Sequence, residues 1–205
     1  SSGSDGRVYW HRFATIGVDL AKALHFAHLQ GVLHRDVKPA NVLLDRQGQP
    51  WLTDFGLAHV TDDANLTRSG DIVGTLRYLA PERLRGECSQ QSDVYGLGIT
   101  LYELATLTPA YAETDRATLI RQISQQSPKR PRFFNRHIPR DLETIIIKAI
   151  EKESSQRYRS AEELANDLSR FLNDLPIQAR RVVFVEQVWR WCRRNPALAV
   201  LNATV

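Results

Sequence analysis

Residues 94–104, Val-Tyr-Gly-Leu-Gly-Ile-Thr-Leu-Tyr-Glu-Leu, are apolar on nearly every side of a helix. A helix without a polar face is stable only when other elements wrap it, so this segment predicts a buried central rod with Ser92 or Asp93 as its cap. Wrapping candidates follow from periodicity. Over 10–30, Phe13, Ile16, Leu20, Leu24 and Ala27 recur at spacings of three and four, one stripe of a helix that Gly31 can stop in the left-handed region. Past Pro109, helical patterns cover 115–126, 139–152 and 160–175. The last opens on the capping-box pattern Ser160-Ala161-Glu162-Glu163 and buries Leu164, Leu168, Phe171 and Leu172. Val42-Leu43-Leu44 and Trp51-Leu52-Thr53 read as two short strands around a turn containing Asp45, Gly48 and Pro50. Residues 127–131 read as a Pro/Arg-rich loop. The predicted fold is therefore mostly α with one small hairpin. At 205 residues, 42% apolar and 24% charged, the chain can build a sizeable core, which excludes disordered and fibrous classes.

One short stretch concentrates the chemistry. His34-Arg35-Asp36-Val37-Lys38-Pro39-Ala40-Asn41 sets an acid, two cations and an amide at fixed offsets. Asp36 can take a proton from a hydroxyl, Lys38 can neutralise a transferring phosphoryl group, and Asn41 offers a neutral oxygen to a divalent metal. The predicted hairpin brings Asn41, before its first strand, close to Asp54, after its second. Both can then serve one Mg²⁺, whose preference for oxygen donors suits a carboxylate, an amide and phosphates.

Read in order, His34-Arg35-Asp36, Asp54-Phe55-Gly56, Gly74-Thr75 and Ala80-Pro81-Glu82 resemble the catalytic loop, metal-binding triplet and activation-segment end of the eukaryotic-type (Hanks-type) protein kinases. The bacterial membrane-anchored serine/threonine group is the nearest in character. What the resemblance implies is specific. Asp36, Lys38 and Thr75 become catalytic, Thr75 hydrogen-bonding near Asp36 and Lys38 in the serine/threonine-type arrangement. Lys38, Asn41 and Asp54 become ATP and Mg²⁺ ligands. His34 is a packed support of the loop, Glu82 pairs with Arg157, and Asp93 ties down the catalytic-loop backbone. Within the long polar segment 57–80, Thr67 and Ser69 stand where paired activation sites occur, and a phosphate there would pair with Arg35.

The same resemblance covers residues 8–175 and corresponds to the large, C-terminal lobe. No G-x-G-x-x-G and no strand lysine of the V-A-I-K type occur in the sequence. The small nucleotide-gripping lobe is therefore expected upstream of residue 1, with 1–7 a leader or the end of that upstream segment, and this piece alone is expected to be inactive. Alternatives are a pseudokinase or docking scaffold, and a small-molecule phosphotransferase of kinase-like fold.

Arginines at 180, 181, 190, 193 and 194 crowd the C-terminal end of a chain whose net charge is only +4. With Trp189 and Trp191 they precede the apolar run 196–205, half the roughly 20 residues a span requires. Residues 176–195 are thus expected to be a basic juxtamembrane segment and 196–205 the start of a transmembrane helix, anchoring a cytoplasmic domain. Cys88 and Cys192 sit in no metal-ligand spacing, which fits a reducing compartment. With the arginines confined to a tail, no nucleic-acid partner is expected.

Overall fold

The computed structural model describes residues 2–55, 71–113 and 115–179, the side chains of 2–5 and 71–73 apart. Seven α-helices and one two-stranded sheet make up these residues: α1 Ser2–Leu29, β1 Val42–Leu44, β2 Pro50–Leu52, α2 Asp71–Leu76, α3 Gln90–Thr106, α4 Arg116–Gln125, α5 Pro131–Phe134, α6 Arg140–Ala149 and α7 Ala161–Leu172. The apolar rod expected at the centre is α3. Thirteen of its seventeen residues are buried, from Ser92 to Tyr102 without interruption and then Ala105 and Thr106.

α3 begins at Gln90, four residues before its apolar run opens at Val94. Its cap is Ser89, whose side chain and that of Ser92 bond each other's backbone N–H in a capping box. Asp93 is consequently a first-turn residue whose carboxylate is free of capping duty and reaches the loop before β1. Two glycines permit close neighbours. A Cβ at Gly98 would stand 2.7 Å from Ile150 and 2.8 Å from Ala149, and one at Gly96 3.2 Å from the Val37 carbonyl. Gly98→Val is expected to destabilise the protein by about 1–3 kcal/mol through overpacking against α6, read as a lowered urea midpoint at unchanged slope.

α1 and α7 lie against each other and against α3. Leu20, Leu24, Leu164 and Leu168 are 1% exposed or less, each such leucine contributing roughly 1.5–3 kcal/mol by leaving water. α1 runs eight residues further towards the N-terminus than its stripe from Trp10 indicates. α7 starts on Ser160, whose hydroxyl accepts from Glu163 N, while the Glu163 carboxylate accepts from Arg159 N, one residue before the cap. Packing continues past α7: Asp167 accepts from Tyr158 Oη and from the backbone of Gln178 and Ala179. Ile177 and Ala179 are buried as a result.

β1 and β2 pair antiparallel, with Val42 opposite Leu52 and Leu43 opposite Trp51. Asp45 holds the turn by accepting from Gln47 N and Gln49 N. No helix among the described residues is long and apolar enough to cross a membrane. The run 196–205, Thr67, Ser69 and Gly56 lie outside the described residues.

Candidate active site

Two non-glycine residues of the site take left-handed backbone: Arg35 at φ 70° and Asp54 at φ 62°. Such conformations cost on the order of 1 kcal/mol each and persist only where the surroundings fix them. For Arg35 the fixing group is Asp93. Its Oδ2 accepts from His34 N at 2.8 Å and its Oδ1 from Arg35 N at 2.8 Å. Charge-assisted bonds of this kind offset the strain. Arg83 adds a guanidinium hydrogen bond to the Arg35 carbonyl.

His28 completes the clamp, its Nε2 lying 2.8 Å from Asp93 Oδ2 with both side chains about 1% exposed. His28 is absent from the residues that the sequence motifs single out. The signal was present, because His28 follows Leu24 by four positions and so puts a polar ring on the apolar stripe of α1.

His34 is fully buried. Its Nε2 donates to the Thr53 carbonyl at 2.9 Å, its Nδ1 accepts from Asp36 N at 3.3 Å, and its ring lies 4.4 Å from that of Phe55. These bonds need the neutral ring, since a protonated Nδ1 would face the Asp36 N–H. Burial holds the His34 pKa below its ordinary value, against the opposing pull of Asp93. A folded pKa below the unfolded one means stability that is present above about pH 6.5 and lost as pH falls through the folded value. His34→Gln is expected to flatten that part of the urea-midpoint profile between pH 7.5 and 5.

The carboxylate of Asp36 is gripped from two sides. Lys38 Nζ lies 2.7 Å from Oδ2, and Asn41 Nδ2 donates to Oδ2 at 3.1 Å and to the Asp36 carbonyl at 2.8 Å. Lys38 Nζ also donates to Thr75 Oγ1 at 2.9 Å, linking α2 to the loop. α2 itself is a finding, six helical residues inside a stretch whose sequence carries no period. Asn41 follows Pro39 in a single 3-10 turn. Its carbonyl accepts from Thr53 N at 2.9 Å, so the residue before Asp54 is fastened to the residue that precedes β1.

With both Nδ2 hydrogens directed at Asp36, the Asn41 Oδ1 is oriented away from it as a neutral oxygen donor. A neutral oxygen of this kind, taken with a carboxylate such as that of Asp54, is the donor chemistry of Mg²⁺, which takes one or two carboxylates and fills its sphere with water and phosphate oxygens. No group of three or more His, Cys, Asp or Glu able to hold a metal occurs among the described residues.

Below the site, Arg157 and Glu82 form a bidentate pair at 2.6 and 2.7 Å. Arg157 also donates to the carbonyls of Glu151, Gln91 and Lys152, and its guanidinium stacks over Tyr95 at 4.8 Å. Ser92 Oγ adds a bond to Glu82 Oε1 at 2.8 Å. Burial pushes the Glu82 carboxyl up, but the Arg157 hydrogen bonds and charge outweigh it and hold the pKa below the ordinary value.

Residues 7–168 match the protein kinase domain family. The chain belongs to that family. This kinase domain is 36% identical to a probable serine/threonine-protein kinase of Streptomyces coelicolor over 168 residues, 80% of the chain and 25% of that protein. It is 34% identical to serine/threonine-protein kinase PknB of Mycobacterium leprae over 182 residues, 88% and 29% of the two. PknB of Mycobacterium tuberculosis matches at 33% over 183 residues. The chain thus spans about a quarter of the length of the curated relatives it matches. All three relatives are bacterial serine/threonine kinases by name, and the mostly helical kinase domain with one hairpin is the fold expected of a large lobe.

Proposed function

We propose that this chain is the large lobe of an ATP-dependent serine/threonine protein kinase. The observation that carries the reading is the Asp36 carboxylate held between Lys38 and Asn41, with Thr75 on the far side of Lys38. Asp36 orients the hydroxyl of a Ser or Thr side chain and takes its proton. Lys38 balances negative charge next to that carboxylate and on the phosphoryl group. Asn41 Oδ1 and Asp54 would hold Mg²⁺, which when bound would neutralise charge on the phosphates of ATP, the donor of the phosphoryl group. His34, Asp93 and His28 hold the loop and touch no substrate.

Three further assignments rest on the same reading. The Arg35 Nε is buried with no partner among the described residues, and a phosphate on Thr67 or Ser69 would satisfy it. On the hairpin, Leu43 and its cross-strand partner Trp51 are each more than half exposed, an apolar face that suits cover by a small nucleotide-gripping lobe upstream. The basic segment and apolar run after residue 179 suit a membrane anchor of a cytoplasmic domain.

Radiolabelled ATP with the full-length protein and a general Ser/Thr protein substrate tests the reading. Labelled phosphoserine or phosphothreonine is expected, with negligible transfer by residues 1–205 alone. A full-length protein that folds and binds but transfers nothing would make it a docking scaffold. Mass spectrometry of active protein should find phosphate on Thr67 or Ser69, and fractionation should find the intact protein in membranes.

A further inference from the structure

Residues 127–140 carry Lys129, Arg130, Arg132, Arg136 and Arg140 and neither Asp nor Glu. A charge run is ordinarily a solvated face, but this one is built on a fixed frame. Pro131 and Ile138 are buried, Tyr102 Oη donates to the Lys129 carbonyl at 2.8 Å, and the buried Glu143 accepts from Arg132 N at 2.9 Å. Glu143 therefore holds the backbone of the segment from within and does not neutralise its outer surface.

On that frame Phe133 and Phe134 stand edge to face at 5.2 Å, 68% and 41% exposed. Lys129 Nζ sits 4.5 Å over the Phe133 ring. Arginine outnumbers lysine four to one here, and arginine with exposed aromatic rings is the composition enriched at protein interfaces, where lysine is depleted. The planar guanidinium also matches a carboxylate bidentately. A bilayer fits less well: taking Phe133 into hydrocarbon would carry the Lys129 ammonium with it, whereas a peptide carboxylate can pair with that cation while its neighbours cover the ring.

Position adds meaning to the patch. Tyr102, which holds Lys129, lies nine residues beyond Asp93 on α3, a rise of about 14 Å from the group that clamps the catalytic loop. The surface is outside the phosphate-handling site yet fixed to it through one rigid helix.

We infer that residues 129–140 dock an Asp/Glu-rich stretch of the protein substrate, with an apolar side chain of that stretch seated on Phe133 and Phe134. The inference rests on the kinase reading for the word substrate, and its test separates the two. The probe is a fluorescein-labelled peptide of repeated Glu-Glu-Leu, set against the same peptide with Gln for Glu, with fluorescence anisotropy on the full-length protein. The Glu peptide is expected to bind about tenfold tighter, the size a few exposed ion pairs give together, and the advantage is expected to fade with salt. Arg136→Glu with Arg140→Glu removes the advantage, and the charge-swapped Lys peptide then binds the double variant better than wild type, which shows that the variant is folded. Phe133→Ser weakens the Glu peptide about threefold.

In the activity arm, a Ser-containing peptide joined to the Glu stretch is expected to show a KM about tenfold lower than its Gln counterpart at unchanged kcat. The double variant phosphorylates the Gln-joined peptide at the wild-type rate. Equal affinity for the Glu and Gln peptides overturns the docking surface, even in an active kinase. So does cosedimentation with phosphatidylserine vesicles, or retention of single-stranded DNA, that the double variant loses while Glu-peptide binding is unchanged. A protein that binds the Glu peptide through Arg136 and Arg140 but transfers no phosphate overturns the kinase reading and leaves the docking surface standing.

Discussion

Asp36→Asn in the full-length protein is expected to lower kcat for phosphotransfer by about 10²–10⁴-fold, the range a positioned general base supplies. Structure and nucleotide affinity are expected to change little. The amide keeps the shape of the carboxylate and can still face Lys38 Nζ, now 2.7 Å from Asp36 Oδ2. It cannot take a proton. It also removes the negative charge that Lys38 balances and turns the Asn41 contact at 3.1 Å into one between two amides. Thr75→Ala is the informative companion, since Lys38 would lose its 2.9 Å partner while the Asp36 side chain is unchanged. A KM for ATP within about threefold of wild type, with kcat alone collapsed, is the signature of a group that acts in the transition state. If Asp36→Asn retained most of the wild-type kcat, proton acceptance by Asp36 would be excluded.

How much of this could be read from residues alone depends on whether a residue's role is local. The loop 34–41 and the hairpin were legible because acid, cation and amide stand within one turn of each other and the strands flank a turn rich in Asp, Gly and Pro. The Glu82 and Asp93 partners were legible only through resemblance, since nothing local ties Glu82 to a residue 75 positions away. What escaped was tertiary. His28 looks like one polar residue on an amphipathic helix until Asp93 arrives from α3. Asn41 reads as a metal ligand from the sequence, and in the fold its amide also holds Asp36. The start of α3 is hidden in the sequence because the hydrophobic run begins at Val94, whereas Ser89 and Ser92 form the box upstream of it. α2 has no period to detect, and its Thr75 meets Lys38 only across the fold. Lys152 is another such case. It lies 4.7 Å over the Tyr111 ring and bonds the carbonyl of Ile123, and burial pushes its pKa down to about 8.

Arg157→Ala is expected to cost about 3–5 kcal/mol of stability, roughly 6–20 °C in Tm for a chain of this size. Removing the guanidinium leaves Glu82, 6% exposed, with Ser92 Oγ as its one remaining side-chain donor among the bonds described, and leaves the carbonyls of Glu151, Gln91 and Lys152 without theirs. Arg157→Lys should recover only part of this, because a single ammonium cannot reproduce two parallel bonds to Glu82 and three to backbone. Acid should imitate the substitution. The folded Glu82 pKa lies below its ordinary 4.5, so its contribution is present above that pH and is lost as pH falls through the folded value. In Arg157→Ala the same acid limb is expected to shrink, since the unpaired carboxyl no longer resists protonation. Glu82→Leu combined with Arg157→Met is expected to be less damaging than either single change, because an apolar pair of similar volume leaves no buried charge. Chemical denaturation of the four proteins gives the coupling directly. Single changes that cost less than about 1 kcal/mol, or strictly additive costs in the double variant, would rule out a buried pair as the brace beneath the catalytic loop.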